Sequence, residues 1–529
     1  MKDSQSILAI DLGTSGPKVA LYSGEGRLQC HTVEKTPVYL LPEGGAEQDP
    51  EDWWQAIRRG VRRLLEENAI SPEQVGALCC TGQWSGTVPL DEGGKPLMNA
   101  IIWMDTRGAP YIQRVNRGLV NIAGYGIAKL WTWIRLTGGA PTHSGKDPIA
   151  HILWLKHERP EIYRNTYKFL EPKDYLNFRL TGRYAATFDS ITLHWVTDNR
   201  DLGRVRYDDR LLKLVGLERE KLPELVQAVD VLGPLTPEAA ADLGLHEEVQ
   251  VIGGMPDLQS AAIGSGAVKD YQAHLYVGTS SWITCHFPHK KTDLFHNMGA
   301  LPSAIPGRYF LANEQETAGG CLEYFVDSVI FAEDALATPG RPEDIYARLE
   351  ELIAGVPAGS EKLIFTPWLY GERTPVDDER IRGGFHNMTL RTSRAHMVRA
   401  IYEGVAYNAR WLLHYVEQFI NRPIPELRFI GGGALSDAWC QIMADVLDRP
   451  ILRVEEPRQA NTRGAALLAA VATGRLGFAD IPERVLVTDI FEPNPKHRQM
   501  YDELFAAFVE IYKRNQRIHA DLNRHDVHA

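Results

Sequence analysis

Residues 7–22 read ILAIDLGTSGPKVALY, and this stretch decides the fold. Apolar side chains run from Ile7 to Leu12, broken only by Asp11, and they resume at Val19, which predicts two strands joined by a tight turn. The turn contains only glycine and small hydroxyl residues. Glycine lets a ligand approach the backbone closely, and the free N–H groups and hydroxyls donate hydrogen bonds to phosphate oxygens. The hairpin is therefore typical of a phosphate-binding site.

The second half of the chain repeats this arrangement. Residues 274–287, HLYVGTSSWITCHF, again predict a strand, the turn Gly278-Thr279-Ser280 and a second strand. In α/β sheets, ligands bind where strand ends meet loops and helix N-termini. One such hairpin is an ordinary connection, but one in each half predicts two α/β domains that hold a ligand in a cleft between them.

Size and charge narrow the class of protein. A chain of 529 residues exceeds what one hydrophobic core usually supports, so two domains are expected. The net charge of -11 argues against nucleic-acid and anionic-membrane partners, which favour basic surfaces. The six cysteines lack C-x-x-C spacing, which favours reduced thiols. No long apolar run is present, so we expect a soluble, cytoplasmic protein.

Three widespread motifs are missing at the positions where they would be needed. Neither Gly94-Lys95 nor Gly145-Lys146 is followed by the Ser or Thr of a Walker A loop. The Rossmann pattern G-x-G-x-x-G is absent at the plausible strand ends, and Pro17 stands where a hydrolase elbow at Ser15 needs glycine. These absences disfavour P-loop enzymes, dehydrogenases and serine hydrolases.

Two helices are clear from local signals. Asp49 and Pro50 predict an N-cap and first turn, followed by apolar residues at helical spacing. Near the C-terminus a stripe of large apolar residues predicts a helix packed on a core, formed by Tyr501, Leu504, Phe505, Phe508, Ile511 and Tyr512.

Several longer motifs occur in the order seen in the FGGY carbohydrate kinases, and from residue 7 to residue 475 the chain resembles the xylulokinase branch of that family. These motifs are AIDLGTSGPK, EQDPEDWW, GQWSG, IIWMDTR, EPKDYLNFRLTG, GGMPD, VGTSS, GERTP, RGGF, EGVAYNAR and GGGALSDAWCQIMADVL. The resemblance implies an α/β, two-domain, actin-like and ribonuclease-H-like ATPase fold with an interdomain cleft. We expect a sugar-binding N-terminal domain at 1–252, a nucleotide-binding C-terminal domain at 253–490 and a helical tail at 491–529.

The resemblance also implies which residues bind the cofactors, ATP and Mg²⁺. Asp11 would help to hold the metal through water, together with Asp257. The outer phosphates would be approached from the first domain by Gly13, Thr14, Ser15 and Lys18, and from the second by Gly278, Thr279 and Ser280. The adenosine end would be lined by Gly319, Gly320, Gly432, Gly433 and Ala434.

Asp257 is the predicted general base. It follows a strand end at the domain junction, where its carboxylate can take the proton of a sugar hydroxyl that attacks the γ-phosphorus. The predicted sugar contacts are Gln83, Trp84, Ser85, Trp103, Asp105 and Asp257 itself.

Simpler roles exist for some of these residues. A lone Asp beside glycine, as at Asp11 or Asp257, commonly forms or caps a turn. Lys18 can also be a solvent-exposed charge of the hairpin without a ligand, and Trp103 can be a core residue. The position of both Asp residues inside matching motifs favours the functional interpretation.

The chain departs from the xylulokinase pattern around the sugar. Met-His is usual after the Gly-Gln of the first-domain motif, and Asn is usual after the catalytic Asp, whereas this chain has Trp84-Ser85 and Leu258. The usual Trp-Asn-Asp is here Trp103-Met104-Asp105. Because pockets distinguish sugars by pairing hydroxyls with polar groups, we expect a less polar pocket that accepts another ketose or a polyol.

The predicted function is thus ATP-dependent phosphorylation of a hydroxyl of a small sugar, a ketose such as xylulose or a polyol. The alternative is a catalytically weak sugar- or nucleotide-binding sensor of the same fold. A small-molecule substrate is the expected partner, with no nucleic acid and no membrane. The sequence leaves open whether two copies form a homodimer.

Overall fold

A computed structural model of the chain describes residues 5–334 and 340–524. The first of its two large sheets has six strands, which lie in the order Val231–Pro234, Gln250–Pro256, Val75–Gly82, Ser6–Gly13, Gly16–Tyr22 and Leu28–Val33. The strand Ser6–Gly13 forms an antiparallel hairpin with Gly16–Tyr22 and pairs in parallel with Val75–Gly82. The predicted hairpin of residues 7–22 is therefore confirmed and lies inside this sheet.

The second large sheet repeats this plan. Its eight strands lie in the order Thr292–Asp293, Met298–Pro302, Tyr309–Ala312, Ser281–Phe287, Ala273–Val277, Leu427–Ile430, Ile451–Val454 and Val487–Phe491. Again a central strand, Ala273–Val277, forms an antiparallel hairpin on one side and pairs in parallel on the other. The second hairpin is confirmed, and the two halves of the chain are two α/β units of the same topology.

Helices and short strands surround the two sheets. The α-helices are Pro50–Glu67, Ala109–Asn116, Ile127–Leu136, Pro148–Glu158, Pro160–Asn165, Pro172–Thr181, Asp209–Val215, Pro237–Leu243, Asp257–Gly264, Gly319–Phe325, Ile345–Ala354, Arg394–Ile420, Asp437–Leu447, Ala460–Ala472, Ile481–Arg484 and Arg498–Leu522. The short strands are Tyr39–Leu41, Gly45–Gln48, Val88–Leu90, Ala100–Ile101, Asn121–Ile122, Tyr125–Gly126, Lys168–Leu170, Ala185–Thr187, Thr197–Asp198, Arg206–Tyr207, Glu224–Val226, Ile364–Thr366 and Gly384–His386.

The first long helix forms as its local signals predict. The Asp49 side chain accepts a hydrogen bond of 2.8 Å from the N–H of Glu51, which satisfies one of the free donors of the first turn. Trp53, Ile57 and Val61 are buried against the first sheet. Both the predicted N-cap and the predicted apolar face of this helix are therefore confirmed.

Two helices join the halves of the molecule by close contact. The helix Asp257–Gly264 packs against the helix Ala460–Ala472, and a side chain at Gly264 or at Gly464 would overlap main-chain oxygen of the other helix. The Tyr22 hydroxyl and Thr462 Oγ1 are 2.8 Å apart and add a hydrogen bond between the halves. A helix from the second half therefore covers one face of the first sheet.

The first sheet extends a few residues past the predicted domain boundary. The boundary at 252/253 falls inside the strand Gln250–Pro256, whose residues pair with Val75–Gly82 as far as Pro256. The glycine pair next to the predicted boundary, Gly253-Gly254, lies within this strand.

The C-terminal segment is part of the second unit. Val487–Phe491 is the edge strand of its sheet, and in the helix Arg498–Leu522 the side chains of Tyr501, Leu504 and Phe508 are buried in its core. The apolar stripe is a core face, as predicted. Of the predicted tail, residues 525–529 lie outside the described part of the chain, as do residues 1–4 and 335–339.

All six cysteines have free thiols, and all except Cys30 are buried. Across residues 5–334 and 340–524, every helix is too short or too polar to span a lipid bilayer.

Candidate active site

Asp11 lies near the end of the central strand of the first sheet, buried, with 2% of its surface exposed. It pairs across the hairpin with Lys18, whose Nζ lies 3.6 Å from Asp11 Oδ2. Asp11 Oδ1 is buried without a hydrogen-bond partner in the structure. Because a buried carboxylate oxygen is rarely left unsatisfied, this atom fits a bound cation or its water.

Asp257 is the first residue of the helix that follows the strand Gln250–Pro256, and the residue as a whole is half-buried. Its Oδ1 accepts a hydrogen bond of 2.9 Å from the N–H of Leu258. Burial, together with the nearby carboxylates of Asp11 and Glu314, raises the pKa of Asp257 from 3.8 to about 8. Three acidic groups therefore converge, two from the first unit and one from the second.

The second hairpin reaches the same place through Tyr276. The Tyr276 ring stacks on Trp282 at 3.8 Å between centroids, and its hydroxyl lies beside Gly278. Burial raises the pKa of Tyr276, and so do the charges of Asp257, Asp11 and Glu314. The turn that follows Tyr276 is thus adjacent to the three converging carboxyls.

The other predicted nucleotide segments gather around this second hairpin. The N–H of Gly319 donates to the Gly278 carbonyl at 2.8 Å, and that of Gly320 donates to Thr279 at 3.2 Å. The chain at Gly433 packs against Val277, the last residue of the strand before the turn. Residues 278–280, 319–320 and 432–434 therefore form one glycine-rich surface.

Two of the predicted sugar contacts adjoin the first hairpin. Trp103 Nε1 donates a hydrogen bond of 3.0 Å to Thr14 Oγ1. Gln83 Nε2 donates to Gln48 Oε1 at 2.8 Å, and Gln48 in turn donates to the Thr14 carbonyl at 2.9 Å. Gln83 Oε1 is buried without a partner in the structure, so this amide can still accept a hydrogen bond.

Three other predicted contacts have their polar groups paired within the protein. Trp84 Nε1 donates to the Ser190 carbonyl at 2.9 Å, and Ser85 Oγ donates to the Lys146 carbonyl at 2.8 Å. Asp105 accepts from the N–H of Ala46 and from Arg107, each at 2.9 Å. These internal hydrogen bonds stabilise the local structure of the first unit around the site.

Sequence reasoning missed a charged cluster that crosses between the two units. Lys146 Nζ of the first unit lies 3.4 Å from Glu316 Oε1 of the second, and Arg373 pairs with both Glu316 and Glu314. Burial alone would raise the pKa of Glu316, but Arg373 and Lys146 lower it to about 2. Arg373 lies in the GERTP motif, whereas nothing in the sequence signals Lys146, whose partner is 170 residues away.

Asp11 and Asp257 are the predicted protein ligands of a divalent cation. Within the described ranges there is no group of three or more His, Cys, Asp or Glu residues arranged to hold a metal ion. The unpaired oxygen of Asp11 and the nearby Asp257 carboxyl fit a cation that keeps several waters and phosphate oxygens, as Mg²⁺ does at nucleotide sites.

Comparison with known proteins identifies the family. The N-terminal domain of the FGGY family of carbohydrate kinases matches residues 6–264, and its C-terminal domain matches residues 273–473. A xylulose kinase of Bacillus subtilis is 28% identical over 516 residues, which cover 96% of each chain.

Solved structures agree with the family match. The gluconate kinase from Lactobacillus acidophilus has a TM-score of 0.84 at 26% identity and covers 98% of this chain and 99% of its own. The ligand-bound xylulose kinase from Lactobacillus acidophilus has a TM-score of 0.83 at 25% identity and covers 97% and 98%. These matches confirm the predicted actin-like fold and kinase class. The chain belongs to the FGGY family of carbohydrate kinases, which phosphorylate sugars with ATP.

Proposed function

We propose that this chain transfers the γ-phosphoryl group of ATP to a hydroxyl of a ketose such as xylulose, or of a polyol of similar length, with Asp257 as general base. The observation that carries the proposal is the convergence of Asp257 with Asp11 and Glu314 beside two glycine-and-hydroxyl hairpins. An attacking hydroxyl and the terminal phosphate of a nucleotide meet where such hairpins face a proton acceptor.

ATP lies between the two units in this proposal. The outer phosphates receive hydrogen bonds from Gly13, Thr14 and Ser15, with Lys18 beside them, and from Gly278, Thr279 and Ser280. The adenosine end lies along the glycine-rich surface formed by Gly319, Gly320, Gly432, Gly433 and Ala434. The hydrogen bonds that join residues 278–279 to 319–320 support this arrangement, because they make these segments one continuous wall.

Asp257 takes the proton from the sugar hydroxyl as its oxygen attacks the γ-phosphorus in line. Main-chain N–H groups of the hairpins stabilise charge that develops on the transferred group. A magnesium ion held by Asp11 and Asp257 would neutralise the phosphate charge. The pairing of Lys146 with Glu316 across the units helps to keep them closed and water out.

The sugar side supports a substrate other than D-xylulose. The indole N–H of Trp84 is paired with the Ser190 carbonyl, and the hydroxyl of Ser85, at the position of the usual histidine, is paired with the Lys146 carbonyl, so neither donor is available to a sugar hydroxyl. Leu258 offers no hydrogen bond beside the base. Gln83 and Trp103 lie next to the first hairpin, and we expect them to contact the sugar. A pocket with fewer polar groups distinguishes fewer hydroxyls, which favours another ketose or a polyol.

A substrate panel with coupled ADP detection tests this proposal. It contains pentuloses, hexuloses, alditols and gluconate, each with ATP and Mg²⁺, and a reaction without sugar as the blank. We expect a ketose or alditol with kcat/KM at least about tenfold above that of D-xylulose, since one or two lost hydrogen bonds are worth that factor. D-xylulose as clearly the best substrate would show that Trp84, Ser85 and Leu258 do not alter specificity.

The same panel bears on the sensor alternative. The relatives are named as kinases, and no observation favours a binding protein without turnover. Thermal stabilisation by ATP or a sugar with no ADP from any sugar would be the result that supports the sensor.

A further inference from the structure

The strand that leads to Asp257 contains a bulge. Ile252 pairs with Cys79 and Met255 pairs with Thr81 of the neighbouring parallel strand, so one extra residue is inserted between the two pairs. Bulges of this kind end regular pairing and re-aim side chains, and they are frequent beside active sites.

The bulge decides which face of the sheet the following residues occupy. Ile252 and Met255 are three positions apart, yet both pack in the apolar cluster between the two units. In an unbroken strand they would point to opposite faces. Ala9 packs in the same cluster, and Asp11, two residues further along its strand, lies on that face. The extra residue therefore keeps Met255 in register with Thr81 and Asp11 on one face of the sheet, and the helix that begins with Asp257 starts two residues later.

The bulge is held by the connection at residues 228–230 and by the helix Pro172–Thr181. Its inserted segment, Gly253-Gly254, donates its N–H groups to the carbonyls of Asp230 and Ala228, at 2.9 and 3.0 Å. The Gly253 carbonyl accepts a second set of bonds, from Lys173 Nζ at 2.9 Å and from Asn177 Nδ2 at 2.7 Å.

Lys173 and Asn177 are buried, with 2% and 1% of their surfaces exposed. Lys173 also pairs with Asp174 and donates to Thr187 Oγ1 at 3.1 Å, so its ammonium group is held in one place. A charged donor makes a stronger hydrogen bond than a neutral one. The two side chains together fix the direction of a main-chain carbonyl four residues before the base.

We propose that Asn177 and Lys173 are positioning residues, which hold the bulge at Gly253 and thereby direct the Asp257 carboxyl into the cleft. The proposal rests on the proposed function, because it assigns these residues a role through the base. Both side chains are buried beneath the bulge and act on the base through it. Their removal affects the rate of phosphoryl transfer, because catalytic geometry tolerates little displacement.

Substitution of Asn177 tests the proposal without removing a buried charge. Asn177→Leu keeps the branched shape and loses the donor, and Asn177→Ala loses both. We expect both to lower kcat about tenfold, with KM for sugar and for ATP changed less than about twofold. Tyr175→Phe is the matched control on the same helix, because its hydroxyl pairs with Arg179 at 3.0 Å, away from the bulge. It leaves kcat unchanged.

The same assay includes Asp257→Asn, so that two failures can be told apart. If Asp257→Asn loses turnover while both Asn177 variants keep the parental kcat, the positioning role is wrong and the base stands. If one Asn177 variant has the parental kcat and the other does not, the volume of the side chain rather than its hydrogen bond sustains the rate. That result overturns the proposal. If Asp257→Asn keeps its turnover, the proposed function itself fails.

Discussion

Replacing Asp257 by asparagine is expected to stabilise the unliganded protein at neutral and alkaline pH, although it removes the proposed base. Burial, Asp11 and Glu314 raise the pKa of this carboxyl from 3.8 to about 8. Stability linked to a raised pKa is complete below the unfolded value of 3.8 and is lost as pH rises towards 8. Asparagine does not ionise, so it does not lose this stability as pH rises. Its Oδ1 can keep the hydrogen bond from the N–H of Leu258.

The size of the effect follows from the shift. Each pKa unit corresponds to about 1.4 kcal/mol, so the full linkage at pH 8 is about 5 kcal/mol. Because Asp257 is half-buried rather than fully buried, solvent screening reduces this energy. We therefore expect Asp257→Asn to raise the free energy of unfolding by about 1–2 kcal/mol at pH 8, which corresponds to about 1–4 °C in melting temperature for units of this size. The difference shrinks as pH falls to 5.

Melting temperatures of both proteins from pH 5 to pH 8, without nucleotide or divalent cation, measure this difference. Asp201→Asn is the control, because Asp201 is exposed and only accepts a hydrogen bond from its own loop, at Gly203. We expect its melting temperature to follow the parent at every pH. A constant offset between Asp257→Asn and the parent across this range would refute the electrostatic account of the site.

Two further substitutions, Gly254→Ala with Gly307→Ala as its control and Lys146→Met, test the surroundings of the site. Gly254→Ala is expected to lower the free energy of unfolding by about 3 kcal/mol or more, because φ is +73° and the new Cβ overlaps the Cys80 carbonyl. Gly307→Ala, with φ +74° and no neighbouring atom within 4 Å, should cost only about 1–2 kcal/mol, and equal losses in denaturant titrations would contradict this. Lys146→Met removes the cross-unit pair with Glu316 and should raise the KM for sugar about fivefold, for a loss of about 1 kcal/mol. An unchanged KM would show that this pair does not contribute to closure.

Local chemistry made much of the fold predictable. The two hairpins follow from apolar strands around turns of glycine and small hydroxyls, and the first long helix follows from Asp49, Pro50 and apolar spacing. Such signals act within a few residues of each other. The repeat of the hairpin in each half was enough to predict two α/β units and a ligand between them.

Contacts between distant parts of the chain were not predictable in this way. Lys146 and Glu316 are far apart in sequence, and neither lies in a pattern that pairs them. The glycine pair at 253–254 has the composition of a junction as well as of a bulge, and only the pairing of Ile252 and Met255 distinguishes the two. Trp84 is a predicted sugar contact, but nothing in the sequence shows that its indole N–H is paired with the Ser190 carbonyl.

Proton acceptance by Asp257 is tested most directly by the rate of phosphoryl transfer in a single turnover. Rapid-quench experiments with labelled ATP and the best sugar of the panel compare the parent, Asp257→Asn and the Asp201→Asn control at pH 7. We expect Asp257→Asn to slow transfer by about 10²- to 10⁴-fold with ATP binding retained, and Asp201→Asn to match the parent. Transfer by Asp257→Asn within about threefold of the parent would contradict the assignment of this residue as the base.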